Sequence, residues 1–525
     1  MNKILASIMA IALCGGSVSA LDVAHADGES WWGLAPGLGP QMPFVQGSTL
    51  TMDQRIHNYN NQTSPLLVST KGRYIWSETP LQLTLDAEGW HIANPDARLV
   101  EAGSTLEDAY MAVMNENFKP SGTLPPAEFF NKPMYNTWIE LMYDQNQKDI
   151  LDYARHLIAD GYPAGVLMID DNWQQDYGVY EFRPDRFPDP KAMVDELHEL
   201  GFKVMLWVSP FVSPDCLESR ELERRGFLVK DRGGRNAAVL RWWNGHSTAF
   251  DLSNPEAYAY FKNKLTGLQE RYGIDGFKMD GGDPERYTAE EVTVMGGADA
   301  LDCGQTSLWA QLAGEFPYNE LRACWKHGGE ALVQRLGDKP YGWESVRALV
   351  PSMVAAGLLG HSYACPDMIG GGDYMSFLNL GGQPLDPRIM VRSCQIHAMM
   401  PMMQFSVAPW RTLAPEYAAI CSDYARKHAE LGDYILSQAR ITAETGRPIV
   451  RCLAYDFPGQ GLDDVTDQYM LGDRYMVAPV VTDGYERDVV LPKGKWRDDR
   501  GKVHKGGRTI RVDAPLDRIP YFEKL

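Results

Sequence analysis

Near its midpoint the chain reads Gly276-Phe277-Lys278-Met279-Asp280-Gly281-Gly282-Asp283. An apolar strand ends there in a carboxylate, and two glycines follow at once. Barrel enzymes keep their chemistry at the C-terminal ends of the strands, which is where Asp280 is expected. The glycines allow a ligand to approach the backbone closely. One such strand end is equally consistent with a solvated aspartate in a loop, so the other strand ends must decide.

The middle of the chain alternates apolar strand-like runs with amphipathic helical runs. This alternation predicts parallel strands covered by helices, and eight candidate strands favour a closed (β/α)8 TIM barrel over an open sheet. The predicted strands lie at 134–138, 164–169, 202–208, 276–280 and 331–334, and three more end at 366–371, 403–406 and 454–458.

Two smaller regions flank the predicted barrel at 126–465. Residues 27–125 contain strand-like pieces such as Arg73–Trp76 and end in a linker rich in Pro and Gly, which predicts a small N-terminal β domain. Residues 466–525 have no helical period and contain short apolar runs between turns, which predicts a C-terminal β-sandwich. The fold class is therefore α/β.

The N-terminus has the features of a secretory signal peptide at 1–20. A basic start precedes the apolar run Ile4–Cys14, which is too short to span a bilayer. Small residues at Ser17–Ala20 mark a cleavage point, and Ala24-His25-Ala26 is a second one. The protein is expected to be exported to the periplasm or the extracellular space, without a membrane span; its oligomeric state stays open.

Composition narrows the classes of function. The formal net charge of −19 argues against nucleic acid as a partner, because nucleic-acid binding needs basic patches. The chain has 14 Trp, 25 Tyr and 17 Phe, which suit the stacking surfaces of sugar sites but also fill cores. Seven of the eight Cys follow the signal peptide without a CxxC pair, so no zinc site is indicated, and disulfide pairing stays open.

Acidic and aromatic side chains follow most of the predicted strands. The second strand leads into Asp170-Asp171-Asn172-Trp173, the third contains Trp207, and Asp338 and Asp367 follow later strands. Carboxylates accept hydrogen bonds from sugar hydroxyls, and aromatic rings stack on the C–H face of a sugar. Together these strand ends predict a carbohydrate pocket at one end of the barrel, although any single Trp is more commonly a core residue.

Several of these segments resemble glycoside hydrolase family 31, and within it the branch of the myogenesis-regulating glycosidase and bacterial α-galactosidases. The resemblance extends from about Pro133 to Trp496. It is carried by Tyr135–Trp138, Ile169–Trp173, Gly201–Val208, Arg241–Gly245, Phe277–Asp280, Pro366–Gly371, Met403–Ser406 and Gln468–Asp473.

The resemblance implies a retaining exo-acting α-glycosidase that works through a covalent glycosyl-aspartate intermediate. Asp280 occupies the nucleophile position, and Asp338 fits the acid/base position, with Glu344 as a nearby rival. Lys278 is two residues before Asp280 on the same strand, where its charge would keep the nucleophile ionised. Two carboxylates suffice for this chemistry, so neither a metal nor an organic cofactor is implied.

Two features bear on the choice of sugar. Asp170-Asp171 with Trp173 is similar to an element of galactose-specific relatives, and Gln404-Phe405-Ser406 stands where the family's α-glucosidases have Arg-x-His. The expected substrate is therefore a small oligosaccharide or glycoside ending in α-galactose. The expected substrate-binding residues are Trp138, Asp170, Asp171, Trp173, Trp207, Lys278, Asp283, Arg335, Asp367, Gln404 and Trp410.

Three alternatives remain open from the sequence. The first is an α-glucosidase or α-xylosidase of the same family, and the second is an α-N-acetylgalactosaminidase. The third, from another class, is an inactive glycan-binding protein that has kept the barrel. The sequence does not specify the linkage or the aglycone.

Overall fold

A parallel barrel forms the centre of the computed structural model, which describes residues 20–59, 61–378 and 385–525. Eight parallel strands pair in chain order, and the last pairs with the first through Met134 and Gln404. Ile369 N donates to Gln404 O at 2.8 Å and links the seventh strand's loop to the eighth strand. The predicted TIM barrel is confirmed. Its strands are Met134–Asn136, Val166–Ile169, Lys203–Val208, Gly276–Met279, Tyr318–Leu321, Gln334–Arg335, Ala364–Cys365 and Gln404–Phe405.

The predicted strand list was wrong at two positions. The fifth strand is Tyr318–Leu321, which could not be recognised from the sequence because its two middle residues, Asn319 and Glu320, are polar. Ala454, assigned to an eighth strand, belongs instead to the short helix Leu453–Asp456 outside the barrel. Each later strand therefore moves by one place, and Asp338 follows the sixth strand rather than the fifth.

Helices cover the barrel as the alternation predicts. Asp189, Asn254 and Asp386 cap helices whose first residue is proline, an arrangement that satisfies free N–H groups of the first turn. Asp251, three residues before the cap Asn254, accepts hydrogen bonds from Ser253 N and Gln305 Nε2. The main covering helices are Gln147–Ala159, Pro190–Glu199, Pro255–Tyr272, Cys303–Ala313, Trp343–Leu358, Pro387–Ala398 and Pro415–Thr445.

The N-terminal β domain contains two four-stranded antiparallel sheets, followed by the helix Leu106–Glu116. Its short strand Gln62–Thr63 pairs in parallel with Cys324–Trp325 and so attaches this domain to the barrel. One sheet contains Leu21–Ala24, Gly89–Ile92, Gln82–Leu85 and Leu50–Asp53; the other contains Trp31–Gly33, Leu66–Ser69, Arg73–Trp76 and Arg98–Glu101.

The signal-peptide prediction concerns residues 1–20, of which 1–19 lie outside the described residues. Leu21–Ala24 pairs antiparallel with Gly89–Ile92, so cleavage at the second candidate site, after Ala26, would remove this strand from its sheet. No helix in the described ranges is both long and apolar enough to cross a membrane. The seven described cysteines are all free.

The C-terminal domain is built from antiparallel strands around Trp496, which is fully buried. A two-stranded ribbon, Glu486–Leu491 with Arg508–Asp513, accompanies a six-stranded sheet. That sheet contains Val450–Arg451, Tyr469–Leu471, Tyr475–Val477, Lys495–Asp498, Val503–Lys505 and Tyr521–Lys524.

Candidate active site

A cavity of about 360 Å³ opens at the C-terminal ends of the barrel strands. Its volume is at the small end of the range for ligand pockets, about 300–1,000 Å³. Charged side chains and aromatic rings dominate its wall. The lining residues are Trp138, Tyr143, Asp170, Asp171, Trp207, Trp243, Lys278, Asp280, Asp283, Arg286, Arg322, Arg335, Asp338, Pro340, Met368, Gly372, Asp373 and Tyr374.

Asp280, the predicted nucleophile, is held by donors on both carboxylate oxygens. Its Oδ1 accepts from Arg322 Nε and from Gly281 N, both at 2.9 Å. Its Oδ2 accepts from Trp207 Nε1, also at 2.9 Å. The side chain is only 13% exposed. Because Oδ2 accepts fewer of these bonds, it has more free lone-pair capacity for attack on a substrate.

The charges around Asp280 keep it ionised. Burial alone would raise the pKa of this carboxyl, but the cations Arg322, Lys278 and Arg335 outweigh that effect and hold its pKa well below the usual range. A carboxylate that stays ionised near neutral pH at the end of a barrel strand suits the role of a nucleophile. Lys278 thus contributes as the sequence predicts, although its Nζ donates directly to Asp170 rather than to Asp280.

Arg322 is the main site residue that the sequence reading missed. It follows the unrecognised fifth strand and connects two acids, since it also donates from both terminal nitrogens to Asp283, at 3.0 and 2.6 Å. Asp283 is in turn bonded by Asn58 Nδ2 of the N-terminal domain at 2.8 Å. The position of Arg322 directly after a strand would have predicted a place at the site, but only if the strand Tyr318–Leu321 had been recognised.

Asp338, the predicted acid/base, lies on the same cavity in a more solvated place. Its side chain is 43% exposed and forms an ion pair with Arg335. Arg335 itself is buried and also lies 3.5 Å from Asp367. The rival Glu344 is exposed in the first turn of the helix Trp343–Leu358 and does not line the cavity. Of the two candidates, Asp338 and not Glu344 therefore lines the cavity that contains Asp280.

Asp170 and Asp171 form an acidic floor at the end of the second strand. Asp170 Oδ2 accepts from Lys278 Nζ at 2.5 Å, and Asp171 accepts from Tyr177 Oη at 3.1 Å and from Asn244 Nδ2 at 2.7 Å. Burial and the neighbouring Asp170 raise the pKa of Asp171 to about 7, despite these donors. Two adjacent carboxyls with different environments can thus present both acceptor and donor groups to a sugar.

A hairpin between the third strand and its helix delivers part of this network. Its strands are Leu240–Trp242 and Gly245–Ala249, and its turn presents Trp243 and Asn244. The sequence Arg241–Gly245 contributed to the resemblance, but it gave no role to Asn244 or to Trp243, whose ring is 47% exposed at the cavity. This turn therefore places Trp243 in the cavity wall, and its Asn244 bonds both Asp171 and Tyr143.

Aromatic rings form the outer wall of the cavity. Trp138, Tyr143 and Tyr374 meet edge to face, with ring centroids 5.3 to 6.0 Å apart. Trp138 Nε1 donates to Gly372 O at 3.1 Å, which fixes the ring. The sequence predicted Trp138 and missed both tyrosines, because each lies several residues beyond its strand end. These rings offer stacking surfaces for a sugar.

Two of the predicted tryptophans do not line the cavity. Trp173 is fully buried under Trp207, to whose carbonyl oxygen its Nε1 donates at 2.7 Å, so it supports the wall from behind. Trp410 packs outside the barrel against Tyr153 and stacks on His156. Both followed a strand end in the sequence, but their side chains point away from the opening.

Asp367 and Gln404 also lie below the cavity wall. Asp367 is fully buried, and its oxygens accept from the backbone N–H groups of Met368, Lys339 and Gly372. Gln404 is buried in the barrel interior, where its Nε2 donates to Glu320 Oε2 at 2.6 Å. Neither side chain is placed for direct contact with a sugar in the cavity.

The remaining predicted residues come together as expected. An ionised buried carboxylate and a solvated carboxyl share one cavity with an acidic floor and an aromatic wall. This arrangement can bind a polyhydroxylated ring, deliver a nucleophile to it and exchange a proton with a leaving group.

Family models match most of the chain. The Glycosyl hydrolases family 31 TIM-barrel domain matches residues 130–438, and the Glycosyl hydrolase family 31 C-terminal domain matches residues 446–524. The myogenesis-regulating glycosidase of Mus musculus is 31% identical over 435 residues, which cover 80% of this chain and 60% of that protein. This likeness agrees with the predicted branch.

Other proteins similar to this chain are named for different glycosidase activities. The 1,3-alpha-isomaltosidase of Kribbella flavida is 28% identical over 380 residues, covering 65% of this chain and 51% of that protein. A Flavobacterium johnsoniae GH31 dextranase solved with glucose shares the fold, with a TM-score of 0.83 at 20% identity over 95% of this chain and 66% of that chain. The chain thus spans less than two thirds of each of these relatives.

Proposed function

Because the chain belongs to glycoside hydrolase family 31, we propose that it is a retaining, exo-acting α-galactosidase. The observation that carries this proposal is the sharing of one small cavity by three elements: the ionised Asp280, the solvated Asp338 and the Asp170-Asp171 floor. A retaining glycosidase needs two carboxyl groups, one ionised and one able to carry a proton.

In the first step Asp280 attacks the anomeric carbon and the bond to the glycosidic oxygen breaks. Asp338 gives its carboxyl proton to that oxygen, so the aglycone leaves as an alcohol and a glycosyl-Asp280 ester remains. In the second step the Asp338 carboxylate takes a proton from water, which attacks the same carbon and releases the α-sugar and the Asp280 carboxylate.

Local contacts divide these roles. Asp280 lies against Arg322 and Trp207 Nε1, which stabilise its negative charge before attack and position Oδ2. Asp338 is more exposed, so water and leaving alcohol can exchange protons with it. Two successive inversions at the anomeric carbon give net retention of the α configuration.

The proposed preference for galactose rests on the floor of the cavity. Asp170 and Asp171 are adjacent carboxyl groups that can accept from or donate to a sugar hydroxyl, and Lys278 Nζ is a further donor that bonds Asp170. Galactose differs from glucose in the axial O4, and a site built to hydrogen-bond that hydroxyl discriminates strongly against the epimer. The sequence resemblance at Asp170–Trp173 supports galactose, although Trp173 acts from behind the wall.

A second candidate is an α-glucosidase or α-xylosidase. The specific observation in its favour is that relatives matching this chain include proteins named alpha-glucosidase 2 and alpha-xylosidase. An α-N-acetylgalactosaminidase is distinguished from both by matched substrates that carry a 2-acetamido group.

Replacing Asp280 by alanine tests whether the protein is an enzyme or a binder. We expect Asp280→Ala to abolish turnover of aryl α-galactoside while galactose binding, measured by calorimetry, persists. The matched control is Asp373→Ala, which changes another acid lining the cavity. Unchanged turnover in Asp280→Ala would reject the nucleophile assignment, and binding without turnover in the wild type would favour the inactive glycan-binding alternative.

A further inference from the structure

Arg335 lies directly beneath the proposed acid/base and meets three carboxylates. Its Nη1 pairs with Asp338 Oδ1 and is 3.5 Å from Asp367 Oδ1, and its Nε is 3.8 Å from Glu320 Oε1. Its side chain is only 2% exposed. One buried positive charge is thus shared by an acid at the cavity and two acids below it.

Glu320 is the deepest of these acids, and nothing in the mechanism above uses it. It lies on the fifth strand inside the barrel and is almost fully buried. Its Oε2 accepts from Gln404 Nε2 at 2.6 Å. Among the described residues, neither Glu320 Oε1 nor Arg335 Nε has a hydrogen-bond partner, so each is the other's nearest charged counterpart on this side.

This arrangement answers a chemical difficulty at Asp338. A general acid must hold its proton at working pH, yet an arginine paired with it favours the ionised form. Carboxylates on the far side of the same guanidinium reduce the positive potential at Asp338. Burial raises the pKa of Glu320, and the charges of Arg335 and Lys278 together with the hydrogen bond from Gln404 Nε2 to Oε2 oppose that rise.

On the basis of the proposed function, we propose that Glu320 is a positioning residue that shares the charge of Arg335 with Asp338. This sharing keeps Asp338 able to carry the proton for the leaving group. Glu320 does not touch substrate. It acts through Arg335, by fixing the guanidinium from below and offsetting its charge.

Several charged groups surround this pair and are part of the balance. Those facing Arg335 or Glu320 from other strands and loops are Asp170, Lys278, Asp280, Asp338, Lys339 and Asp367. All of these remain in place when Glu320 alone is neutralised, so a Glu320→Gln change isolates one charge.

The test is the pH profile of kcat/KM for Glu320→Gln on an α-galactoside with an alkyl leaving group, which needs protonation. Loss of the Glu320 charge strengthens the pull of Arg335 on ionised Asp338. We expect the alkaline limb to move to lower pH by about one unit, the scale on which a neighbouring charge moves a carboxyl pKa. A dinitrophenyl leaving group departs without a proton, so we expect its rate to change less than twofold.

Three variants keep the test sharp. Glu320→Asp retains the charge and should restore the wild-type limb, and Gln334→Met changes a neutral buried neighbour and should leave the limb unmoved. If Glu320→Gln is not folded in thermal unfolding, Glu320→Met removes the same charge and must shift the limb in the same direction.

An unshifted alkaline limb in folded Glu320→Gln would overturn the inference, as would equal losses for the alkyl and dinitrophenyl substrates, which would indicate a purely structural role. These failures differ from a failure of the proposed function. In that case the wild type itself hydrolyses neither galactoside, and the same profiles are then measured on the α-glycoside that it does hydrolyse.

Discussion

Replacing Arg322 by methionine removes the cation nearest to the proposed nucleophile. Arg322 Nε lies 2.9 Å from Asp280 Oδ1, and both side chains are largely buried. Two unit charges about 4 Å apart interact by about 4 kcal/mol at an effective dielectric constant of about 20. Because one pKa unit corresponds to about 1.36 kcal/mol, the change should raise the pKa of Asp280 by up to about three units.

The sign of the effect on activity follows from the role of Asp280. The nucleophile must be ionised, so activity falls as pH drops through its pKa, which lies well below the usual range in the wild type. In Arg322→Met the acid limb of kcat/KM should move up by two to three pH units, on the Coulomb scale given above. Lys278 is still present in this variant, and its charge limits how far the pKa of Asp280 can rise.

The assay is kcat/KM for aryl α-galactoside between about pH 3 and 9, a window wide enough to include a carboxyl pKa shifted by three units. Arg322→Lys is the matched control: it keeps the charge but loses the fork that also holds Asp283, so its acid limb should stay near that of the wild type. Thermal unfolding checks that each variant is folded. An acid limb in Arg322→Met at the wild-type pH would refute the electrostatic account of Asp280.

Three further predictions test other parts of the structure. The folded-state pKa of Asp171 is about 7, above the value of about 3.9 for a free aspartate, so the free energy of unfolding should fall as pH rises through this window. In Asp171→Asn, the loss of unfolding free energy between the two ends of this pH window should be smaller by at most about 4 kcal/mol, as measured by denaturant titration at each end. The same pH dependence in wild type and variant would contradict the raised pKa. Trp207→Phe removes a donor to the nucleophile and should lower kcat by about tenfold or more, the scale of one lost hydrogen bond to a charge, whereas Trp410→Phe should leave KM and kcat unchanged. Equal kinetic losses would place Trp410 at the site after all. Finally, N-terminal sequencing of exported protein should find Leu21 first, because cleavage after Ala26 removes a paired strand; a start beyond Ala26 would show that the strand is dispensable.

The barrel could be predicted from the sequence because most of its strands are apolar and well spaced. Gly276–Met279 and Lys203–Val208 are continuous buried runs that the pattern identifies. Tyr318–Leu321 escaped because both of its middle residues are polar: Glu320 points into the barrel and accepts from Gln404, and Asn319, on the opposite face, bonds to the backbone of Phe316 and Val333. A hydrophobic pattern cannot reveal a strand whose middle residues are polar on both faces and are buried in hydrogen bonds.

The site could be predicted in its charged centre and less well in its surroundings. Asp280 and Asp170 follow well-defined strands, so their side chains reach the cavity as expected. Asp367 and Trp173 also follow strands, but hydrogen bonds to backbone groups hold their side chains below or behind the wall. Arg322 could not be weighed without its strand, since its role comes from pairs made across the barrel.

The central claim is that this cavity hydrolyses α-galactosides with retention. The most direct measurement compares matched aryl α-galactoside and α-glucoside, with the first-formed anomer followed by NMR. We expect cleavage of the galactoside, with α-galactose appearing first and β-galactose only later by mutarotation. Preferred cleavage of the glucoside would contradict the role given to Asp170 and Asp171, and first-formed β-product would contradict the covalent mechanism at Asp280.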